Sequence, residues 1–245
     1  MPLAPGDIQI VAFDLGNTLI PFGQAQYAAL DDALHASLCE FFGPIDRERL
    51  AQWLAEARRA PLVGSPPTFK EYDHPAYLAR LVAELYGPSA DATPLEQLRF
   101  AQYDAFVRVV TVAPHVHEIL TALKQRYRLA LLSNFSDANA IRGALRAHKL
   151  SSYFEHIVVS GELGYMKPHP VAFAQLLAPF RTATRHAVYI GDHWNLDIQG
   201  AKRVGLHAIH TTEYPAKEPV ATAPDDVPAD HTIAHLSELL PLLIP

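Results

Sequence analysis

The stretch FDLGNTLI, residues 13–20, decides how this chain folds. It completes IQIVAF (8–13), an apolar run of strand length, and sets Asp14 where that strand ends. A near-continuous apolar run, rather than an alternating one, reads as a strand buried on both faces. An acidic side chain at the mouth of such a strand has two readings. It is a turn residue, or it is a nucleophile.

Working outward, three further runs have the same character: YRLALL (127–132) before Ser133-Asn134, HIVVS (156–160) before GELGYMKP, and HAVYI (186–190) before Gly191-Asp192. LHAIHT (206–211) reads as a fifth strand. Helical patterns lie between them at 116–127, 136–150, 170–180 and 195–206. Ser136 and Asp137 serve as N-cap candidates, Pro170 as a first-turn residue and Gly205 as a C-cap. A terminal helix is expected around 235–243, after a Pro/Ala/Asp-rich surface loop at 215–230. Strands alternating with helices of this length predict an α/β fold with a parallel sheet.

The first strand breaks the rhythm. Residues 21–113 hold four segments of helix formers, interrupted by GSPPTF at 64–69. A structureless loop of that length is improbable, so the segment reads as a helical insertion over the strand ends.

The composition narrows the function. The chain has 245 residues, 49% hydrophobic and 19% charged, which is globular and large enough for a sizeable core. The net charge of −6 argues against nonspecific nucleic-acid binding. One cysteine, Cys39, excludes an internal disulfide and a cysteine metal site. No basic segment followed by an apolar one opens the chain and no long apolar run follows, so a cytoplasmic protein with no membrane association is expected.

In a parallel α/β sheet, ligands bind at the carboxyl ends of the strands. That rule puts Asp14, Ser133 with Asn134, the loop to Lys167, and Asp192 on one rim. At these residues the chain resembles the haloacid dehalogenase-like (HAD) hydrolase superfamily, among its members with an α-helical cap inserted after the first strand. The matching segments are FDLGNTL, LLSN, GYMKPHP and YIGDHWNLDIQGA. The resemblance implies a doubly wound, Rossmann-like core from residues 1–20 and 114–245, with a cap from residues 21–113.

The resemblance also implies chemistry. Asp14 attacks phosphorus and becomes an aspartyl-phosphate. Asp14, the backbone carbonyl of Gly16 and Asp192 hold Mg²⁺, which relieves repulsion between carboxylate and phosphate, and Asp197 orients the lysine or the metal waters. Thr18, Ser133, Asn134 and Lys167 hold the transferring phosphoryl group of a small phosphorylated substrate.

Position 16 departs from the family's phosphatase pattern. An aspartate two residues after the nucleophile ordinarily serves as general acid and base, and Gly16 has no group to do so. Three readings follow. The first is a phosphatase whose substrate has a good leaving group, or in which another residue moves the proton, with His193, Tyr72 and His74 as candidates. The second is cleavage of a carbon–halogen or carbon–phosphorus bond, the latter needing a Schiff-base lysine such as Lys70. The third is a non-catalytic module that binds a phosphate ligand. Arg47, Arg49, Arg58, Arg59, Arg80, Arg99 and Arg108 in the insertion are candidates for an anionic substrate, more ordinarily placed on solvated helix faces.

Overall fold

The structure, a computed structural model, describes residues 3–59, 68–88, 90–91, 93–214 and 223–244. Its centre is a parallel sheet of β1 (Ile10–Phe13), β2 (Arg128–Ser133), β3 (His156–Val159), β4 (Ala187–Gly191), β5 (His207–Thr211) and β6 (His231–Ile233). The spatial order is β3-β2-β1-β4-β5-β6. The five expected strands are present within a residue or two of the sequence reading. The sixth, β6, is an addition: it is three residues long with two of them exposed, too brief to carry an apolar signal.

The sheet has two dry faces, and the strand alternation shows how. Val11 and Phe13 of β1, Leu129 and Leu131 of β2, and Val188 and Ile190 of β4 enter one core cluster. Ile10 and Ala12, Ala130 and Leu132, and Ala187 and Tyr189 enter the other. Successive residues point to opposite faces of a strand, so a run apolar at every position is required when both faces are covered.

Among the described residues, four helices fill the insertion between β1 and β2: α1 (Gln24–Phe42), α2 (Arg47–Arg59), α3 (His74–Tyr86) and α4 (Leu95–Val109). They enclose an apolar cluster of their own, including Leu38, Trp53, Leu81, Leu85 and Leu98. Phe106 and Val110, at the other end of α4, join the main core instead. The remaining helices are α5 (Pro114–Lys124), α6 (Ala138–Ala147), the single turn α7 (Ser160–Leu163), α8 (Pro170–Leu177), α9 (Gln199–Arg203) and α10 (Leu239–Leu243). Asp137 caps α6, its carboxylate accepting from the N–H groups of Asn139 and Ala140. Residues 64–67 and 215–222, parts of two expected loops, lie outside the described residues.

A short strap ties the insertion to the core. The Glu71 N–H donates to Gly164 O at 3.0 Å and the Met166 N–H donates to Phe69 O at 2.9 Å. The Ser160 hydroxyl donates to the Glu71 carboxylate and accepts from the Phe135 N–H at 2.8 Å. Nearby, the loops after β2 and β3 meet at Gly161, where a Cβ would overlap the Ser136 carbonyl oxygen. That neighbour is main chain and cannot swing aside. Gly161→Ala is therefore expected to lower the unfolding free energy by about 1–3 kcal/mol in urea denaturation. Gly6→Ala, at a site with open space around the glycine, should stay within about 0.5 kcal/mol of wild type.

Candidate active site

The order of strands reverses around β1, whose neighbours are β2 and β4, and this is where a cleft forms in such a sheet. The Asp14 N–H donates to Ile190 O at 2.9 Å, so the ladder with β4 continues one step and fixes the carboxylate at the rim. The chain then turns sharply. Asn17 takes a left-handed conformation, φ 53°, which asparagine tolerates better than most residues. Its N–H donates to Ile20 O at 2.7 Å and its side-chain oxygen accepts from the Phe22 N–H at 2.9 Å. This turn buries Thr18 beside the acid, its hydroxyl 3.4 Å from Asp14 Oδ2.

Lys167 reaches the same point from the loop after α7. Its Nζ, buried, donates to Asp14 Oδ1 at 2.5 Å, to Asp197 Oδ1 at 2.7 Å and to the Tyr189 hydroxyl at 3.0 Å. Three acceptors match the three hydrogens of an ammonium. The Tyr189 hydroxyl donates onward to Leu132 O at 3.1 Å. Asn134 clamps the lysine backbone from both sides: its Oδ1 accepts from the Lys167 N–H at 2.8 Å and its Nδ2 donates to Lys167 O at 3.1 Å.

Asp192 and Asp197 follow β4. Between them the chain makes one π-helical turn, Trp194–Ile198, a wider coil often found at functional sites. It returns Asp197 onto the strand end, where Oδ2 accepts from the His193 N–H at 2.9 Å. A Cβ on Gly191 would collide with the Asp197 carboxyl, so only glycine permits that approach.

Carboxylate oxygens of Asp14, Asp192 and Asp197 lie within 4.8 Å of one another. The electrostatics follow from this crowding. Burial pushes Asp14 up; Lys167 pulls it back and Asp197 pushes it further, leaving it at about 6. Burial and the charges of Asp14 and Asp197 push Asp192 up to about 8. Burial alone would lower Lys167, but the carboxylates of Asp14 and Asp197 outweigh it and hold the ammonium well above its ordinary range. One ammonium among three carboxylates leaves uncompensated negative charge, and all the donors facing it are oxygens. A divalent cation of the Mg²⁺ type is what such a set fits.

These groups line a cavity of about 460 Å³. Asp14, Gly16, Ser133, Asn134, Lys167, Asp192, His193 and Asp197 all face it. Tyr72, His74 and Lys70 do not. Tyr72 is bonded to Ser136, His74 stands 3.8 Å from Asp137, and Lys70 forms a backbone bridge with Tyr165. Among the described residues, no arginine side chain of the insertion lines the cavity; Arg47, Arg80, Arg99 and Arg108 pair with Asp32, Glu84, Glu96 and Asp104. The side chains of Arg58 and Arg59 lie outside the described residues. His193 faces the cavity, but its Nδ1 accepts from the Leu196 N–H at 3.3 Å, a capping role.

Sequence reasoning missed Tyr189, which sits inside an apolar strand and signals itself only as a hydroxyl two residues before the strand end. It also missed Phe22, Tyr27, Phe106, Phe135 and Trp194, the cavity's aromatic lining.

Comparison with known proteins agrees with this geometry. The chain is 28% identical over 237 residues to a ribulose-1,5-bisphosphate 5-phosphatase of Halopiger xanaduensis, covering 95% of this chain and 98% of that one. It is 28% identical over 211 residues to a glyceraldehyde 3-phosphate phosphatase of Pyrococcus abyssi, covering 82% and 80%. Among solved structures it is similar to a 2-haloacid dehalogenase from Pseudomonas syringae pv. tomato DC3000, with TM-score 0.73, 26% identity and coverage of 96% and 98%. The model of haloacid dehalogenase-like hydrolases matches residues 8–205, and the chain belongs to that family of enzymes.

Proposed function

We propose that this hydrolase is an Mg²⁺-dependent phosphatase acting on a small phosphorylated molecule through an aspartyl-phosphate at Asp14, with helices α1–α4 as its cap. The observation that carries the reading is the convergence of Asp14, Asp192 and Asp197 with a single ammonium at one cavity. The phosphatases among its relatives support it.

Lys167 engages Asp14 Oδ1 at 2.5 Å, whereas Oδ2 has only the long 3.4 Å contact from the Thr18 hydroxyl, which makes Oδ2 the freer, attacking atom. Lys167 restrains the carboxylate while offering positive charge to the equatorial phosphoryl oxygens. Ser133 and the remaining hydrogen of the Asn134 amide supply donors to those oxygens, while Thr18, buried with its hydroxyl turned to Asp14 Oδ2, steadies the carboxylate from behind. Asp14, the Gly16 carbonyl and Asp192 would hold the cation, and Asp197 positions Lys167 behind them. Bound there, the cation neutralises charge on both the carboxylate and the phosphate. Localisation in the cytoplasm, and no nucleic-acid or membrane partner, remain part of the proposal on charge and sequence grounds.

A second reading has one observation in its favour, the similarity to a 2-haloacid dehalogenase. The accumulation of acidic groups weighs against it, because a 2-haloacid brings a carboxylate toward Asp14, Asp192 and Asp197. The two readings part in one assay. Phosphate release from a panel of sugar, nucleotide and acyl phosphates with Mg²⁺ is expected, and it should vanish in Asp14→Asn. Chloride release from 2-haloacids with no phosphate release from any compound overturns the proposal.

The missing acid is open to test as well. A Cβ at Gly16 meets only Phe22 Cβ, at 3.6 Å, an ordinary contact, so the backbone there accepts a side chain. Gly16→Asp should raise kcat on alkyl phosphates by about tenfold or more, toward the range that general acid–base help supplies. Unchanged turnover would mean that another group already moves the proton.

Stability should report the cation site independently of turnover. Asp14 and Asp192 hold their protons to about 6 and about 8 in the folded chain, against 3.8 as the ordinary value. The folded state thus binds more protons than the unfolded one between these limits, and stability falls as pH rises through them. Without divalent cation, the thermal midpoint should decline from pH 5 to pH 9. Added Mg²⁺ should raise it more at the higher pH. An equal shift at both, or none, removes the cation site.

A further inference from the structure

The walls of the cavity carry information beyond its catalytic floor. Four rings form a continuous chain: Tyr27 against Phe22 at 5.2 Å, Phe22 against Phe106 at 5.5 Å, and Phe106 against Phe135 at 4.5 Å between centroids. They come from three separate places, α1 with the turn before it, α4, and the loop after β2, yet all four line the one cavity. Trp194 adds a fifth ring, fixed by its indole N–H to Asp226 at 2.7 Å. Among the described lining residues, Lys167 is the one lysine or arginine, and its ammonium is committed to Asp14, Asp197 and Tyr189. A bound divalent cation would bring the floor close to neutral and serve one phosphate. No other described lysine or arginine lines the cavity to pair with a second anionic group.

Resting on the phosphatase reading, we propose that the substrate is an aryl monophosphate, a single phosphate on a flat apolar group of phenol type. Three independent features agree on it. The aromatic wall suits a ring by offset or edge contacts. The shortage of cations disfavours bisphosphates and phosphorylated acids. Gly16 supplies no proton, and an aryloxide, with the acidity of tyrosine's phenol at about 10, leaves without one. An alkoxide, closer to hydroxide in basicity, does not.

Asp14 Oδ2 forms a bond to phosphorus while the phosphorus–aryl oxygen bond breaks, and the aryloxide departs with the electron pair. Water then adds to phosphorus, the bond to Asp14 breaks, and the carboxylate and hydrogen phosphate are released. The water's spare proton reaches the aryloxide through solvent, giving the phenol.

Reactivity alone would also favour aryl esters, so the test separates binding from leaving-group ability. Acetyl phosphate is labile and has no ring. Glycerol 3-phosphate is sluggish and has no ring. The full chain with Mg²⁺ is assayed for phosphate release from 2-naphthyl phosphate, phenyl phosphate, acetyl phosphate, glycerol 3-phosphate and ribulose 1,5-bisphosphate. Expected is a KM for 2-naphthyl phosphate at least tenfold below that for acetyl phosphate, with the bisphosphate the poorest in kcat/KM. Phe135→Leu, and separately Trp194→Leu, should raise the naphthyl KM several-fold more than the acetyl KM, narrowing that ratio. Two variants on opposite flanks keep the test decisive if one folds badly. An acetyl KM equal to or below the naphthyl KM, or a preference for the bisphosphate, overturns the aryl assignment and leaves the phosphatase standing. No phosphate from any compound, acetyl phosphate included, overturns both.

Discussion

The arrangement at the sheet's rim depends on one buried cation. Lys167 is held between Asp14 and Asp197 with a tyrosine hydroxyl taking its third hydrogen, and among the described residues it is the one buried lysine or arginine. Buried ion pairs add little net stability, because desolvation offsets their attraction, but removing one partner is strongly destabilising. Geometry is therefore the gain. The ammonium fixes which oxygen of Asp14 is restrained and which faces the cavity, and the Asn134 clamp on its backbone fixes the ammonium. Asp192 stands outside this set, and burial, together with the charges of Asp14 and Asp197, raises its proton affinity.

Two contacts tie the helical insertion to the part of the rim that carries Lys167 and the cavity wall. The strap of residues 69–71 hydrogen-bonds the loop that carries Lys167, and the rings from Tyr27 to Phe135 run unbroken from α1 to the loop after β2. Both contacts span elements distant in sequence, and both are made by residues of ordinary type: a glutamate, a serine and several phenylalanines.

That explains what the sequence made legible. Asp14, Ser133, Lys167 and Asp192 each follow an apolar run buried on two faces, and the strand-end rule alone brings them to one rim. The four helices of the insertion were legible for the same reason, since their formers are dense and their breaks are glycine and proline. The short β6 was not, because edge strands carry few buried residues. Tyr189 was hidden among its apolar neighbours. The aromatic wall was hidden because a phenylalanine lining a cavity and a phenylalanine filling a core look alike until the fold brings them together. Tyr72 and His74, placed near the site on sequence alone, instead hold the insertion to Ser136 and Asp137.

The contact of Glu71 with Ser160 has a consequence for how such enzymes diversify. The hydroxyl that meets Glu71 also meets the Phe135 N–H, so the insertion, the loop bearing the lysine and an aromatic wall residue share a single polar joint. The insertion is thus no interchangeable module resting on a finished catalytic platform. Grafting another in its place would shift the support of the ammonium beside Asp14 together with the shape of the pocket, so the two are inherited as one trait.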